Sequence, residues 1–361
     1  MSTLLRPLRV GEILDRAVRL YRHNFLHFVG VVALVQVPVT LVQIAVSLTA
    51  FSDTFARLGD ALNNPAAAPD NPFSLFGPSY FIGASLNSIV GIVGFILLQG
   101  VATAALTASV AGSYLGNPSP SIGHAYRRIK DKWLAVVGAL LLAVVLAIAL
   151  GFWWLIPCFG WFTGGGMLLF LWQVIVPLLA PIIILEGGSP TVAWRRAWTL
   201  ARRRFWWVLG FALILYVFNL LIVAGPAAIV GLGGQFLIGD PLEVSSERFT
   251  VQTIVQSITV LITGMFYLPL QVASMTLLYL DLRVRTEGLD LAMAAESLIS
   301  PASNLQGLVT AGATGQEEDL LRTVDWRNFF MLTVGTVLGF LLLYAVFLAV
   351  VLALIAALGP L

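Results

Sequence analysis

The stretch RRRFWWVLG, residues 202–210, changes from three cations through aromatic residues to an apolar run within nine residues. Cations at the level of the lipid phosphates, followed by a belt of interfacial tryptophans, are typical of a helix that enters a bilayer. The same order of cation, aromatic residue and glycine begins at Arg22, Lys130 and Arg327. Every helix that enters a membrane from the cytoplasm needs such anchors, and duplication of an ancestral unit is the alternative explanation.

Hydrophobic residues dominate the composition. Of the 361 residues, 59% are hydrophobic and only 11% are charged, whereas about 25% are charged in ordinary globular proteins. This composition indicates an integral membrane protein. The net charge of +2 gives no reason to expect a nucleic acid partner. The single cysteine, Cys158, excludes a disulfide framework and a cysteine-based metal site within the chain.

Seven stretches without charged side chains predict seven transmembrane helices, because each exceeds the roughly 20 helical residues that cross a bilayer. They cover about residues 28–48, 81–115, 134–157, 160–185, 206–238, 251–280 and 329–361. A lipid-exposed strand edge would leave backbone groups unpaired, so the expected fold class is all-α.

The positive charges alternate between the segments that connect these spans. Eighteen of the 20 lysines and arginines lie before the first span or after an even-numbered one, and two lie after the first and fifth spans. Positive residues concentrate on the cytoplasmic side of membranes. We therefore expect the amino terminus inside, the carboxyl terminus outside and a multi-pass protein of the cell (plasma) membrane.

Three amphipathic helices are predicted on the cytoplasmic side, at about residues 8–25, 121–132 and 190–204. In the first, apolar residues recur from Val10 to Phe25 at the spacing of one helix face, with charged residues on the other. The third begins at Ser189 and Pro190, a serine cap followed by proline at the first helical position. Such helices are expected to lie along the membrane surface.

Each amphipathic helix and the two spans that follow it form a unit, and three units make a six-span membrane domain over residues 1–287. Residues 288–327 are polar and low in aromatics, which predicts a cytoplasmic linker. Residues 328–361 add a transmembrane helix. FTGGGM, residues 162–167, lacks the features of a nucleotide-binding loop, and its glycines predict close helix packing.

Three stretches resemble a membrane domain family that is attached to some bacterial glycerophosphodiester phosphodiesterases and also occurs alone. They are LRVGEILDRAVRLYRHNF at 8–25, PIIILEGGSPTVAWRRAWTLARRRFWWVLG at 181–210 and LLYLDLRVRTEGLDL at 277–291. The residues that carry the resemblance are Glu186, Pro190, Arg196, Trp198, Tyr279, Asp281, Arg283, Arg285, Glu287 and Gly288. It covers roughly residues 6–291, with Ala197 where serine is expected and an addition after Leu291.

The resemblance implies a stand-alone multi-pass protein that is not an enzyme. In that group the phosphodiesterase reaction belongs to a separate barrel domain of about 250 residues, and no soluble segment here exceeds about forty residues. We therefore expect no catalytic residues and no cofactor. His23, His27 and His124 lack the acidic or sulfur-bearing partners that would complete a metal site, so no metal is expected either.

The cations on the cytoplasmic side are candidates for contacts with lipid headgroups. They are Arg16, Arg19, Arg22, Arg127, Arg128, Lys130, Arg195, Arg196, Arg202, Arg203 and Arg204. Cations near a membrane surface attract anionic lipids at about 1 kcal/mol each. Membrane lipids, preferentially anionic ones, are therefore the expected partners.

Carboxylates and arginines also meet at the cytoplasmic ends of the fourth and sixth spans. The candidates for ion pairs or ligand contacts are Glu186, Asp281, Arg283 and Arg285, with Arg195 and Arg196 nearby in the sequence. Ion pairs there would lock the amphipathic helices to the bundle, and ligand binding is the alternative.

Five glutamines interrupt the apolar spans and are candidates for a polar interior: Gln36, Gln99, Gln173, Gln256 and Gln271. Hydrogen bonds between helices, at about 0.6 to 2 kcal/mol per contact, are the simpler interpretation. A water-filled cavity that reaches these side chains would instead favour transport. Proton-coupled pumps normally carry a charged or ionisable residue near the middle of a span. No predicted span has a charge at that depth.

The first functional hypothesis is a non-enzymatic membrane scaffold or lipid-interacting accessory protein. The alternative is a solute or lipid transporter with a pathway lined by glutamine and threonine. A third hypothesis, an accessory subunit of a lipid-modifying enzyme, adds another membrane protein or enzyme subunit as a partner.

Overall fold

A computed structural model describes residues 6–64, 71, 76–116, 121–156, 159–237, 245–292 and 322–358. All regular structure in these ranges is helical, which confirms the predicted all-α fold class. The α-helices are α1 (Val10–His23), α2 (Phe25–Asn63), α3 (Pro78–Ile96), α4 (Thr103–Tyr114), α5 (Ile122–Arg128), α6 (Trp133–Trp154), α7 (Phe159–Phe170), α8 (Val176–Leu185), α9 (Pro190–Arg202), α10 (Phe205–Asn219), α11 (Gly225–Leu237), α12 (Ser246–Glu287) and α13 (Thr323–Leu358). The π-helical turns are π1 (Leu97–Ala102) between α3 and α4, π2 (Leu171–Ile175) between α7 and α8, and π3 (Leu220–Ala224) between α10 and α11.

Six helical segments of the described chain are long and apolar enough to cross a membrane. They are Phe25–Leu62, Tyr80–Tyr114, Trp133–Trp154, Thr163–Leu185, Phe205–Gly234 and Ser246–Glu287. These segments correspond to the first six predicted spans, so the chain is a multi-pass membrane protein. The predicted seventh span falls in α13, which is not among the six, and residues 293–321 of the predicted linker lie outside the described residues.

The two longest helices, α2 and α12, pack side by side. At 1.5 Å per residue, their 39 and 42 residues extend about 58 and 63 Å, beyond the roughly 30 Å hydrocarbon layer of a bilayer. Phe55 in α2 stacks on Phe249 in α12 with ring centroids 4.1 Å apart. Earlier in α2, the Gln36 side chain lies against Gly264, which is later in α12. This order shows that the two helices run antiparallel.

The most tightly packed part of the protein surrounds the carboxyl-terminal half of α12. Most residues from Tyr267 to Val284 are buried, whereas none from Ser246 to Phe266 is. The helices α1, α4, α8 and α9 contact α12, and residues 103–112 of α4 are all buried. In the other half of the bundle, apolar side chains such as Leu41 and Ile262 are exposed, as lipid-facing side chains are.

The apolar face of the amphipathic helix α1 packs on protein, whereas the sequence predicts that this helix lies along the membrane surface. Leu8, just before α1, contacts Asp281, and Phe25, just after α1, stacks on Phe266. Because these two contacts lie far apart on α12, α1 runs lengthwise along that helix, with Ile13 fully buried. Amphipathic spacing identifies the apolar face of a helix but does not say whether lipid or protein covers it.

The other two amphipathic helices also bury their apolar faces against the spans. The helix α5 is shorter than predicted, because residues 129–132 form turns. The Tyr126 hydroxyl of α5 donates a hydrogen bond to the Val31 carbonyl of α2 at 2.6 Å. In α9, the indole N–H of Trp194 donates to the Ala139 carbonyl of α6 at 3.0 Å. Both helices therefore join neighbouring spans to each other.

The helix that follows the predicted linker, α13, packs closely on α7. The Gly166 N–H donates to the Thr333 hydroxyl at 2.8 Å, and a Cβ on Gly166 would lie 2.6 Å from the Phe329 carbonyl oxygen. This glycine of the FTGGGM stretch thus allows the two helices to approach closely. Near the start of α13, the Asp325 carboxylate lies 3.9 Å from the Arg202 guanidinium. Backbone and charge contacts consequently attach α13 to the six-span domain.

Candidate functional site

One end of the bundle gathers most of the predicted cations. We call it the cation-rich end and define it as residues 6–24, 114–116, 121–133, 185–205, 281–292 and 322–328. The Lys132 ammonium at the start of α6 donates to the Ile184 carbonyl of α8 at 2.8 Å. Burial lowers the pKa of Lys132, because the ammonium loses hydration. Arg16 of α1 donates to the Tyr114 hydroxyl at the end of α4 at 2.9 Å. These two hydrogen bonds join segments that are far apart in the sequence at the same end of the bundle.

The predicted headgroup cations divide into two groups by exposure. The seven exposed ones are Arg19, Arg22, Arg127, Lys130, Arg195, Arg203 and Arg204. The four half-buried ones are Arg16, Arg128, Arg196 and Arg202. Of these four, Arg16, Arg196 and Arg202 contact Tyr114, Glu186 and Asp325. Those three arginines hold helices together, and Arg128 is half-buried as well, so the seven exposed cations are the headgroup candidates.

Five side chains from the ends of α8 and α12 and from α9 form an ion-pair cluster: Glu186, Arg196, Tyr279, Arg283 and Glu287. The Arg196 guanidinium binds the Glu186 carboxylate through two nitrogens, at 3.0 and 3.1 Å, and also pairs with Glu287. The Arg283 Nε donates to Glu287 Oε2 at 2.9 Å and lies 3.6 Å from Glu186 Oε1. The Tyr279 hydroxyl donates to Glu186 at 2.6 Å.

The ion-pair cluster is nearly buried and carries no net charge, since it holds two guanidiniums and two carboxylates. The side-chain exposure is 14% for Arg196, 9% for Glu186, 8% for Glu287 and 3% for Arg283. Burial by itself lowers the pKa of Arg196, but the hydrogen bonds and charge of Glu186 outweigh that effect and raise it. Each charge in such a group depends on its partners, because removing one leaves another buried and unpaired.

A glycine turn explains how Glu186 and Arg196 meet. Gly187 and Gly188 have φ angles of 81° and 105°, in the left-handed region that glycine adopts readily. The chain therefore reverses directly after Glu186, and α9 folds back over the end of α8. The Ser189 hydroxyl accepts the Val192 N–H at 3.4 Å and caps α9, as the sequence predicts.

The ion-pair cluster contains some predicted residues and omits others. Of the ion-pair candidates it contains Glu186, Arg196 and Arg283. Arg195 is exposed and lies outside it. From the sequence, Tyr279 and Glu287 are not placed in a charged site, although both are among the residues that carry the family resemblance. The available signal was spacing, because Tyr279, Arg283 and Glu287 are four residues apart and so share one face of α12.

A second charged group, which we call the N-terminal clamp, consists of Asp281 and Arg285. The fully buried Asp281 carboxylate accepts the Leu8 N–H at 2.6 Å and the Arg285 Nε at 2.7 Å. Arg285 in turn donates to the Leu8 carbonyl, and its guanidinium lies 5.3 Å from the centroid of the Trp207 ring. Both backbone polar groups of Leu8 are thus paired with α12. The clamp holds the start of α1 against α12. The locking of an amphipathic helix to the bundle is the role proposed from the sequence for the ion pairs.

The five candidate glutamines do not share one pathway within the described residues. Gln36 is buried between α2 and α12, and Gln173 is half-buried in π2. Gln256 is exposed, and its amide group lies near Gly231 of α11. Gln99 and Gln271 line the same small cavity.

The fold and the charged end define a class: an all-α, multi-pass membrane protein whose ion pairs join amphipathic helices to the ends of its spans. Among the described residues, no three His, Cys, Asp or Glu side chains are placed to hold a metal ion. The chain matches no known protein family, no curated protein and no solved structure. The resemblance to the phosphodiesterase-associated membrane domain therefore stays a prediction.

Proposed function

We propose that the chain is a non-enzymatic membrane protein that binds anionic lipid headgroups at its cation-rich end. In this role it serves as a scaffold or accessory domain for another membrane protein or enzyme subunit. The supporting observation is that seven exposed cations share this end while the charges beneath them are paired within the protein. Because the ion-pair cluster and the N-terminal clamp are each neutral, they do not offset the exposed positive charge.

The proposal includes an orientation. The cation-rich end faces the cytoplasmic leaflet of the cell membrane, because positive residues concentrate on that side and its lipids are often anionic. The amino terminus is then inside. The helix α13 begins at the same end and, with 36 residues or about 54 Å, is long enough to cross as a seventh span. The carboxyl terminus would then lie outside.

The proposal agrees with what the resemblance implies. In the phosphodiesterase-associated family, the membrane domain is separate from the barrel domain that carries out catalysis. The ion-pair cluster and the N-terminal clamp include most residues that carry the resemblance. If those residues anchor helices near the lipid headgroups, their presence is explained without any enzyme activity.

The double substitution Arg127→Gln and Arg204→Gln should weaken binding of anionic lipid. Each exposed cation contributes about 1 kcal/mol near a charged surface, so the loss of two should reduce preference for anionic lipid by up to roughly 30-fold. The measurement is the ratio of phosphatidylglycerol to phosphatidylcholine that the protein retains from mixed vesicles, read by native mass spectrometry.

Arg57→Gln provides the matched control, because Arg57 is an exposed cation on the part of α2 that extends away from the cation-rich end. Its retained lipid ratio should equal that of the unmodified protein. An unchanged ratio in the double variant, or an equal loss in the control, would refute the proposed lipid-binding surface.

A further inference from the structure

A small polar cavity lies between three spans, away from the charged cluster. It has a volume of about 30 Å³ and is lined by residues of π1, α4, α8 and α12. Its polar side chains are Gln99, Thr103, Thr107 and Gln271. The remaining lining is apolar or proline, and no charged side chain contributes to it. The space suits two or three water-sized particles, since a water needs roughly 10 to 15 Å³.

The Thr107 hydroxyl is available to an occupant of this cavity. Thr107 is fully buried, and its hydroxyl has no hydrogen-bond partner in the described chain. The buried hydroxyls of Ser109 and Thr276 instead donate to the carbonyl four residues earlier, and Ser274, whose buried hydroxyl also has no partner in the described chain, does not line this cavity. A buried polar group without a partner is costly. An occupant of the cavity that binds this oxygen would remove that cost.

Each of the three helical segments around the cavity contains a π-helical turn or a proline. Gln99 lies within π1, a wider helical turn of the kind often found at functional sites. In α8, Pro181 offers no N–H to the carbonyl of Pro177, four residues earlier, and both prolines line the cavity. In α12, Pro269 lies inside the helix two residues before Gln271 and likewise offers no N–H to the helix. Interrupted helices in membranes expose carbonyl oxygens where they line a cavity.

The lining therefore offers neutral oxygen atoms. The Thr103 hydroxyl donates its proton to the Gln99 carbonyl, so only its lone pairs remain for another partner. Amide oxygens of Gln99 and Gln271 and the Thr107 hydroxyl add further acceptors. An anion would need a nearby cation, and a divalent ion would need a carboxylate to balance its charge, but neither lines the cavity.

We propose that this cavity binds a dehydrated monovalent cation of the size of Na⁺, through the side-chain oxygens of Gln99, Thr103, Thr107 and Gln271. Neutral oxygens replace the hydration shell of the ion, as carbonyls do in other membrane proteins. The ion ties α4 and α12 together next to the prolines of α8. This site is separate from the lipid-binding surface, and its existence does not depend on the proposed function.

The test compares the thermal unfolding of the purified full-length protein in NaCl, KCl and choline chloride at equal ionic strength. With Na⁺ in excess over its dissociation constant, we expect the Tm to rise by about 2 to 6 °C relative to choline. The substitution Thr107→Val keeps the shape of the side chain and removes the hydroxyl. It should abolish the difference between NaCl and choline chloride.

Three further variants keep the test decisive. Ser109→Ala, a buried position on the same helix outside the cavity lining, should retain the full response to Na⁺. If Thr107→Val does not fold, Gln271→Leu replaces it, and Thr107→Ser should preserve the response. Equal Tm values in the three salts would mean that the cavity holds only water. A response to Na⁺ that survives in Thr107→Val and Gln271→Leu would place the ion elsewhere, and either result overturns the proposal.

Discussion

The substitution Arg196→Met is expected to lower the free energy of unfolding by about 3 to 5 kcal/mol, the usual loss when one partner of a buried ion pair is removed. Arg196 is the only member of the ion-pair cluster that α9 contributes. Without it, the nearly buried carboxylates of Glu186 and Glu287 share the single guanidinium of Arg283. The measurement is the unfolding midpoint of the purified protein in mixed detergent micelles.

The neighbouring residue gives a matched control. Arg195→Met removes the same charge from the same helix, but Arg195 is exposed, so its effect should stay within about 0.5 kcal/mol. Adding Glu287→Gln to Arg196→Met should cost less than the two single effects combined, because the remaining charges then balance. Equal destabilisation by Arg195→Met and Arg196→Met would show that the cluster does not stabilise the fold.

The substitution Asp281→Ala should release the amino-terminal segment from α12. The Asp281 carboxylate is fully buried and accepts hydrogen bonds from the Leu8 N–H and from Arg285. Its removal leaves the guanidinium without its charge partner and should cost about 3 to 5 kcal/mol. We also expect faster amide hydrogen exchange at Leu8 and in α1, because the bond that holds the start of this helix is lost.

Asp15→Asn is the control for this effect, because it removes a carboxylate from α1 itself. Asp15 pairs with Arg19 at 2.7 Å, but both side chains are largely exposed, at 67% and 78%. Exposed pairs of this kind contribute about 0 to 1 kcal/mol, so exchange in α1 should hardly change. Unchanged protection of α1 in Asp281→Ala would contradict the role assigned to the N-terminal clamp.

The spans themselves could be predicted because hydropathy is a local property of the sequence. Their helical boundaries could not. The first span was predicted at 28–48, whereas α2 runs from Phe25 to Asn63. Hydropathy marks only the apolar part of a helix, and residues 49–63 continue the helix with charged side chains such as Asp53 and Arg57.

The sequence predicts several residues of the ion-pair cluster but not which of them contact each other. Glu186 and Arg196 are near each other in sequence, and the Gly187–Gly188 turn between them is readable. The bond from Tyr279 to Glu186 joins residues 93 positions apart, so it depends on how α8 and α12 pack. The same limitation applies to Gln256, because a polar residue in a span gives no sign of which neighbour it faces.

We propose that the cation-rich end of the membrane-spanning bundle faces the cell interior, and cysteine labelling tests this orientation directly. Single cysteines introduced as Arg195→Cys and Asp60→Cys, each combined with Cys158→Ser, report on this end and on the exposed end of α2. With a membrane-impermeant maleimide, we expect Asp60→Cys to be labelled in intact cells and Arg195→Cys only after permeabilisation. Labelling of Arg195→Cys in intact cells, with Asp60→Cys protected, would contradict the orientation and the lipid-binding role that depends on it.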